Sequence, residues 1–410
     1  MVTRSYARRR RTPGLEFVGS GRRWALLFGV TLSLAVGDHV IGDDTIAGVP
    51  TVVEKSDGGE ETELVTGDLS DMPSFWDTSF TLRAWSGFRD NPLLSSVNPT
   101  GSGFVAGGGE VMVFRLPMDG WEVSVFGVLE RLEYFESELM PETTGIVDAR
   151  TRRSWENGWS LGLGLEYFYL KQVFDASELE GVPVVIRTEG HTLGVRPLLG
   201  KTLGKAWRLE VEFEWGRQWL DEPLDGYRDV GTRVQGYRVL REGSELGVSY
   251  RYRDRGFDTR TRRDSSGVAI DGILGYRQHE WESIWRASWG PNRRWRTWVR
   301  AGWGRSTDNG GGYFDYDRFQ VGGQVRWVGK VLELRAEARA RWYLYPAQRA
   351  SEPDGPERRR TGWTTEVRGD WKFDRKWRLF GQYEWDVSDE NVSAADYRAM
   401  GVHLGLEWEL

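Results

Sequence analysis

Apolar and polar residues alternate strictly over long stretches of the chain after residue 75. In the segment 207–215, Trp, Leu, Val, Phe and Trp occupy the odd positions, while Arg208 and three glutamates fill the even ones. The same pattern recurs in 295–303, 332–342, 377–385 and 400–410. A period of two places alternate side chains on opposite faces of a strand, whereas on a helix it would scatter them around the axis. The pattern predicts β-strands with one apolar and one polar face.

Tryptophan also recurs at a fixed interval on these apolar faces. The pairs lie eight residues apart: Trp207 and Trp215, Trp281 and Trp289, Trp295 and Trp303, Trp363 and Trp371, and Trp377 and Trp385. Eight strand residues tilted by about 40° rise roughly 20 Å, close to the spacing of the aromatic girdles of a membrane barrel. A soluble sandwich has no reason to repeat that interval from strand to strand. We therefore expect these tryptophans to form two belts facing lipid.

The composition further restricts the classes of protein to which the chain could belong. The chain has 22 Trp among 410 residues, yet 28 % of its residues are charged. After the first forty residues, no apolar run approaches the roughly 18 residues that a membrane-spanning helix needs. The absence of Cys is compatible with an oxidising compartment. Acidic and basic residues are nearly balanced over 75–410, so nothing indicates a nucleic-acid partner.

The first 74 residues differ from the rest. Residues 1–37 carry seven Arg and one Glu, and the apolar run Trp24–Val36 follows them. That layout predicts a secretory signal peptide, because the run is short for a membrane anchor. Residues 38–74 carry ten acidic residues and one Lys, which favours a disordered periplasmic leader. The apolar run Ile46–Val53 leaves a plug or a partner-binding role open.

Connections between the predicted strands alternate between short and long. Short turns are expected at 117–120, 156–158, 200–206, 242–244, 290–294, 329–330 and 374–376. Longer polar loops are expected near 86–103, 136–145, 175–183, 220–228, 257–267, 306–315, 346–360 and 388–396. Seven turns and eight loops join about sixteen strands, and alternation of this kind is typical of outer-membrane barrels. A β-propeller would instead repeat a blade motif, and none recurs.

The polar faces would then line the barrel interior. A sixteen-stranded barrel is wide enough for an aqueous lumen, in which rings of side chains select solutes. Alternatively, these charges only neutralise one another, for example Glu333 and Glu337 against Arg318 and Arg326. A basic bias near 296–300 and 335–341 favours a mild anion preference. The candidate lining residues are Glu210, Glu212, Glu214, Arg296, Arg300, Arg326, Arg335, Arg339, Arg341, Glu366, Arg368 and Gln382.

The signal segment, the hairpin pattern and the last strand together resemble porin-type outer-membrane β-barrels of Gram-negative bacteria. The stretches FWDTSFTLRAWSGFRDNPLLSS (75–96) and LEYFYLKQVFDAS (165–177) are similar to uncharacterised β-barrel porins. The segment Met400–Leu410 alternates as the barrel-assembly signal of that group does, although it ends in Leu410 and not in an aromatic residue. The resemblance implies a single closed up-and-down barrel over 75–410, exported through the periplasm to the outer membrane. It also implies contact with outer-membrane lipid and with the barrel-assembly machinery.

Three functions follow from this resemblance and from the residues. The first is a passive channel for small hydrophilic solutes, and the second is a closed structural or polysaccharide-export-associated barrel. The third, an outer-membrane hydrolase, lacks a nucleophile motif beside the histidines at 39, 191, 279 and 403. We expect no enzyme activity, catalytic residue, metal or cofactor, and the oligomeric state is left open. Two loop features are also considered: a Ca²⁺ site at Asp308, Asn309, Asp315 and Asp317, and a basic outer loop over 251–263.

Overall fold

The structure is a computed structural model that describes residues 76–96, 99–115, 119–175, 180, 185–241, 243–350, 355–392 and 396–410. The predicted signal peptide (1–37) and acidic leader (38–74) lie outside the described residues. Within the described ranges, no helix has the length and apolarity required to cross a membrane.

Sixteen antiparallel strands make up almost all of the described chain. In order they are β1 Trp76–Arg89, β2 Ser102–Arg115, β3 Trp121–Tyr134, β4 Glu142–Ser154, β5 Trp159–Asp175, β6 Val185–Leu203, β7 Trp207–Leu220, β8 Tyr227–Arg241, β9 Ser244–Arg263, β10 Ala269–Trp289, β11 Trp295–Asp308, β12 Tyr316–Val328, β13 Leu332–Arg349, β14 Glu357–Lys372, β15 Trp377–Glu390 and β16 Tyr397–Glu409. The 3₁₀ turn Pro291–Arg293 precedes β11.

Each strand pairs with its neighbours in sequence, and the sheet closes between its first and last strands. β1 and β16 pair from Thr81 opposite Glu409 to Arg89 opposite Gly401. The Leu410 amide extends this seam by donating to the Phe80 carbonyl oxygen at 2.9 Å. A sheet without edges pairs its backbone groups within itself, as a hydrocarbon environment demands. The predicted closed barrel and its strand number are confirmed.

The connections alternate as predicted. Turns of two to five residues follow the even-numbered strands, and connections of five to twelve residues follow the odd-numbered ones. We call the two ends of the barrel the short-turn end and the long-loop end. The loops are mostly shorter than expected because the strands continue through residues assigned to them. The turn predicted at 200–206 is likewise shorter, since β6 continues to Leu203.

The predicted basic outer loop over 251–263 is wrong. These residues belong to β9, which is hydrogen-bonded to β8 on one side and to β10 on the other. Arg253 and Arg255 are buried, and the Arg255 guanidinium binds the Asp229 carboxylate through two hydrogen bonds of 2.8 Å. Pairing with two neighbouring strands extends β9 where local polarity indicated a loop.

Alternation along the strands separates the two faces of the sheet. On β7, Trp207, Phe213 and Trp215 are each about half exposed, whereas Glu210 is 6 % exposed. On the glutamate side, Glu210 lies 2.8 Å from Arg152 on β4 across two intervening strands, so this side is the concave inner face. A hydrophobic cluster of four aromatic residues and one leucine fills part of the interior at the long-loop end, namely Tyr227, Phe257, Leu274, Tyr276 and Phe314.

Candidate functional site: the inner wall and the mouth of the barrel

All twelve candidate lining residues lie on the inner faces of β7 and of β11 to β15. On each of these strands they alternate with outward-facing residues, as Arg335 on β13 does with the exposed Leu334 and Ala336. Glu210, Arg300 and Gln382 are buried by their neighbours, and the others are partly exposed. The structure therefore brings these side chains onto one continuous wall. Whether solutes pass along that wall stays a prediction.

Most charges on the wall between β12 and β16 belong to ion pairs. The Arg326 guanidinium lies 2.7 Å from the Glu333 carboxylate, and Arg339 lies 2.6 Å from Glu337 on its own strand. Arg335 pairs with Glu366 on β14. Glu333 and Arg326 thus pair as the sequence predicted, while Glu337 contacts a different arginine. The lining is polar and charged along its length, but much of its charge is internally compensated.

Other ion pairs skip over one or more strands. The Arg318 side chain on β12 reaches Glu280 on β10 at 2.8 Å, and Arg368 on β14 reaches Glu407 on β16 at 2.5 Å. Arg152 on β4 contacts the carboxylate of Glu210 on β7 at 2.8 Å. A contact that skips two strands, as that of Arg152 with Glu210 does, requires the concave side of a closed sheet. These ion pairs tie separate strands together from within and fix the arginines against the wall.

At the long-loop end, one contact crosses the barrel. Asp175, the last residue of β5, accepts hydrogen bonds from the Arg360 guanidinium on β14 and, at 3.2 Å, from the Tyr397 hydroxyl on β16. β5 and β14 are far apart around the barrel wall. Arg360 also donates to the Ser388 hydroxyl at 3.0 Å. The connection that leaves β5 therefore begins against the opposite wall.

The same connection makes a second contact further along. The Glu180 carboxylate lies 2.9 Å from the Arg260 guanidinium on β9. Arg260 in turn lies over the rings of Phe257 and Phe314, 5.1 and 4.9 Å from their centres. Burial raises the pKa of Glu180, and the positive charge of Arg260 opposes that shift. The β5–β6 connection is thus held at Asp175 and at Glu180, on two different parts of the wall.

A cavity lies beside the Asp175 contact. Its wall carries three arginines, Arg339, Arg341 and Arg360, and two carboxyl groups, Asp175 and Asp386. Its remaining lining is Tyr343, Gly362, Thr364, Val387 and Tyr397. This arrangement can hold a small polar or anionic group by several hydrogen bonds, because guanidinium groups donate in a fixed fork geometry.

Sequence reasoning identified Arg339 and Arg341 but missed Asp175, Arg360 and Tyr397. Asp175 was placed at the start of a polar loop, and Arg360 at the end of another. The two residues are 185 positions apart, so no local pattern joins them. Arg360 has the inner-face parity of β14, but Asp175 has the odd-numbered, outer-face parity of β5, so alternation would not have placed Asp175 inside the barrel.

The histidines within the described residues lie apart. His191 and His279 are on the outer face, where their Nδ1 atoms hydrogen-bond to the hydroxyls of Tyr167 at 2.7 Å and Tyr250 at 2.8 Å. His403 lies inside, against the rings of Phe104 and Phe380. His39 lies outside the described residues.

The predicted Ca²⁺ site lies where β11 ends and β12 begins. In the part of the chain that the structure describes, no group of three or more His, Cys, Asp or Glu could hold a metal ion. At the proposed Ca²⁺ site, the Asp308 carboxylate instead accepts the backbone amides of Gly310, Gly312 and Phe314 at 2.7–3.0 Å. The Asp308 carboxylate therefore stabilises the backbone of the β11–β12 connection.

The ten girdle tryptophans lie on the outer face. Nine of them are 41–52 % exposed, namely Trp207, Trp215, Trp281, Trp289, Trp303, Trp363, Trp371, Trp377 and Trp385. Trp295 is less exposed because its ring stacks on Trp289, with 5.2 Å between ring centres. Large apolar side chains such as Leu209, Val299 and Leu334 are also exposed on the outer face. Such a surface is stable only against hydrocarbon.

A closed antiparallel barrel with an apolar exterior and an ionised interior defines the class: the chain folds as an outer-membrane β-barrel. No family model matches the sequence, and no curated protein matches it.

Three solved structures illustrate the similarity in fold. OccAB3 of Acinetobacter baumannii is 11 % identical, covering 82 % of this chain and 99 % of its own, at a TM-score of 0.42. OccK5 of Pseudomonas aeruginosa is 11 % identical, covering 82 % and 98 %, also at 0.42. OmpT, an outer membrane protein of Vibrio cholerae, is 10 % identical, covering 82 % and 97 %, at 0.41. At these values, the similarity adds nothing to what the chain's own topology shows.

Proposed function

We propose that the chain is a porin-like channel through which small hydrophilic solutes diffuse passively across the outer membrane. The observation that carries this proposal is the inner wall, where ionised and amide side chains continue from strand to strand around a sixteen-strand barrel. Barrels of this strand number leave room for an aqueous path. A wall of that chemistry is stable only when it is hydrated or internally paired, and partly exposed arginines such as Arg335 keep water access.

A mild preference for anions is part of the proposal. The cavity at the mouth carries three arginines against two carboxyl groups. Of these arginines, Arg339 is paired with Glu337 and Arg360 with Asp175, and both pairs reduce the field that a passing ion meets. Among the described residues, the structure gives Arg341 no carboxylate within ion-pair distance. Arg341 is therefore the cation best placed to act on a solute.

Single-channel recording in planar bilayers tests this function. We expect discrete conductance steps with anions favoured over cations, as measured from the reversal potential in a salt gradient. The variants Arg341→Glu, Arg339→Glu and Arg300→Glu should each shift the reversal potential towards cation selectivity. Arg238→Glu, on the outer face beside Trp207, should not. Conductance without any shift would remove these arginines from the path.

A closed structural or polysaccharide-export-associated barrel is the second candidate. The contacts of Asp175 with Arg360 and of Glu180 with Arg260 favour it, because both bring charged side chains together inside the long-loop end of the barrel. If correctly folded protein at high concentration gives no conductance in the bilayer, the closed barrel is supported and the channel is excluded. Neither function includes a catalytic step, and absence of enzyme activity stays a prediction.

The export route belongs to the same proposal. Residues 1–37 act as a cleaved signal, residues 38–74 remain as a periplasmic leader, and Met400–Leu410 is recognised by the barrel-assembly machinery. Amino-terminal sequencing of protein purified from the outer membrane should give a start near residue 38. A start at residue 1 would contradict the signal assignment.

A further inference from the structure

The turns at the short-turn end carry their charge unevenly around the rim of the barrel. The turns after β6, β8, β10, β12 and β14 follow one another along this rim, and we call them, with the strand residues that directly flank each turn, the basic arc. By sequence, the acidic residues of the arc are Glu242 and Asp374. The turns after β2 and β4 hold Asp119 and Glu156 instead. Exposed cations of the arc include Lys205, Arg241, Lys330, Lys372, Arg375 and Lys376.

The charge of these six cations is not compensated by the barrel. Among the described residues, none of the six side chains has a carboxylate within ion-pair distance. On the inner wall, by contrast, Arg326, Arg335 and Arg368 are each paired with a carboxylate. In the β10–β11 turn, Arg293 and Arg294 add two further guanidinium groups to the arc. The arc therefore presents a continuous positive surface at one side of the rim.

The basic arc lies on the water side of the aromatic girdle. The β10–β11 turn, for example, joins two girdle residues, Trp289 at the end of β10 and Trp295 at the start of β11. Tryptophans of a girdle lie at the level of the lipid headgroups, so the residues between them lie beyond that level. Cations at the girdle itself are different residues, such as Lys201, whose amine lies 4.8 Å from the centre of the Trp159 ring. Short turns of this kind face the periplasm.

Residues 38–74 join the barrel at the same end. β1 begins there, at Trp76, and its neighbour β16 ends there. The Leu410 amide donates to the Phe80 carbonyl oxygen on β1 at 2.9 Å, and the Glu409 amide donates to the Lys376 carbonyl oxygen at 2.8 Å. The last two residues of the chain therefore contact both β1 and the final turn of the arc. The segment that precedes β1 starts beside the arc.

Residues 38–74 have the charge and the length to cover the arc. They carry ten acidic residues and one Lys, and seven of the acidic residues lie within 54–71. A flexible chain of this length has a root-mean-square end-to-end distance of about 30 Å. Sixteen strands about 4.8 Å apart close into a barrel on the order of 30 Å across, so every turn of the arc is within reach. Surface ion pairs are weak singly, but a tether keeps the effective concentration of the segment high.

We propose that residues 38–74 bind the basic arc of their own barrel, with the acidic run 54–71 lying along the turns from β6 to β15. The bound segment neutralises the positive rim of the periplasmic mouth. The other anion within reach of the arc is the headgroup of an acidic phospholipid, which the experiments below distinguish from the segment. The inference rests on the proposed export route, because residues 38–74 must remain on the mature chain. It does not depend on conductance, so a silent barrel would leave it standing.

Zero-length cross-linking of the full chain tests the contact. A carbodiimide joins a carboxylate to a lysine amine when the two are in contact, and the arc holds four of the seven lysines of the chain. Mass spectrometry should find acidic residues of 54–71 linked to these four lysines, and none linked to Lys171 near the long-loop end. The number of links should fall several-fold at 1 M salt, where the screening length is about 3 Å. Lys171 pairs with Glu189, so a link between these two confirms that the reaction has worked.

Two outcomes of this experiment would overturn the proposal. One is the absence of any link between residues 38–74 and the lysines of the arc when the Lys171–Glu189 link is present. The other is linkage of the segment to Lys171 as frequent as linkage to the arc, because the segment would then meet lysines at random.

Charge reversal tests whether the charge of the arc holds the segment. The double variant Arg241→Glu with Arg375→Glu keeps all four lysines but lowers the positive charge around them, so links to the segment should fall several-fold. Arg277→Glu with Arg398→Glu is the matched control, since these side chains are 71 % and 77 % exposed near the long-loop end. Heat-modified mobility on gels confirms that each variant is folded. No loss in the first variant, or an equal loss in the control, would contradict the proposal.

Vesicles of two compositions distinguish the acidic segment from lipid as the occupant of the arc. Links should form to a similar extent in phosphatidylcholine and in a mixture of phosphatidylcholine with phosphatidylglycerol. Links that disappear when phosphatidylglycerol is added would show that acidic headgroups occupy the arc in a membrane, and the proposal would fail. Loss of residues 38–74 from the mature chain, read from its intact mass, would refute it as well.

Discussion

The Asp175 carboxylate joins opposite sides of the barrel at its long-loop end. This residue ends β5, and its two hydrogen-bond partners come from β14 and β16 on the other side of the lumen. The Arg360 guanidinium that it binds is otherwise held by the Ser388 hydroxyl and by the ring of Tyr343, 5.6 Å away. Removal of the carboxylate leaves a buried cation with weaker partners, which costs more than the loss of an exposed pair.

We predict that Asp175→Asn loosens the β5–β6 connection and raises single-channel conductance. The amide keeps the shape of the side chain but removes the charge that draws Arg360 across the mouth. Asp258→Asn is the matched control, because Asp258 accepts two 2.7 Å hydrogen bonds from Arg217 on the exposed outer face. Unchanged conductance in Asp175→Asn, or an equal rise in the control, would show that this contact does not limit the entrance.

At the scale of elements, strands were easier to predict than their ends. Alternation is a local property, so β7, β11, β13 and β15 could be found from the sequence alone. The ends depend on whether a neighbouring strand offers backbone partners. The β9–β10 hairpin continues past the expected loop for that reason, with 20 and 21 residues in its two strands. The cavity at the mouth could not be predicted, because its residues come from strands β5, β13, β14, β15 and β16.

The short turns supply a test at this scale. Gly158 and Gly204 both adopt positive φ, +83° and +63°, in turns after β4 and β6. A Cβ at position 158 would lie 2.7 Å from the Thr202 carbonyl oxygen, whereas one at position 204 would meet nothing within 4 Å. Gly204→Ala should therefore cost only the conformational penalty of about 1–2 kcal/mol. Gly158→Ala should lower the free energy of unfolding by more, because the backbone near Thr202 must also move.

Urea unfolding of the protein in lipid vesicles measures both costs under the same conditions. A loss of stability that is equal in the two variants would mean that the Gly158 turn relaxes without strain. It would also mean that the close approach of Thr202 does not restrict this turn.

At the scale of the whole molecule, two opposite surfaces follow from one period-two pattern. Closure between β1 and β16 removes every sheet edge, so backbone polar groups are paired among themselves wherever the sheet meets hydrocarbon. The same closure gathers the arginines and glutamates into a shared interior, where pairs form between strands distant in sequence. The sequence could predict which residues share a face. It could not predict which charges pair, because that depends on distances across the lumen.

Cysteine accessibility along β13 tests this division of surfaces most directly. With no native Cys to interfere, each residue from Leu332 to Trp342 can be replaced singly and exposed to a membrane-impermeant maleimide in intact outer-membrane vesicles. We predict labelling at the inner-face positions 333, 335, 337, 339 and 341, and protection at the outer-face positions between them. Labelling without a period of two, or protection at the five inner positions, would contradict a water-filled barrel whose apolar face meets lipid.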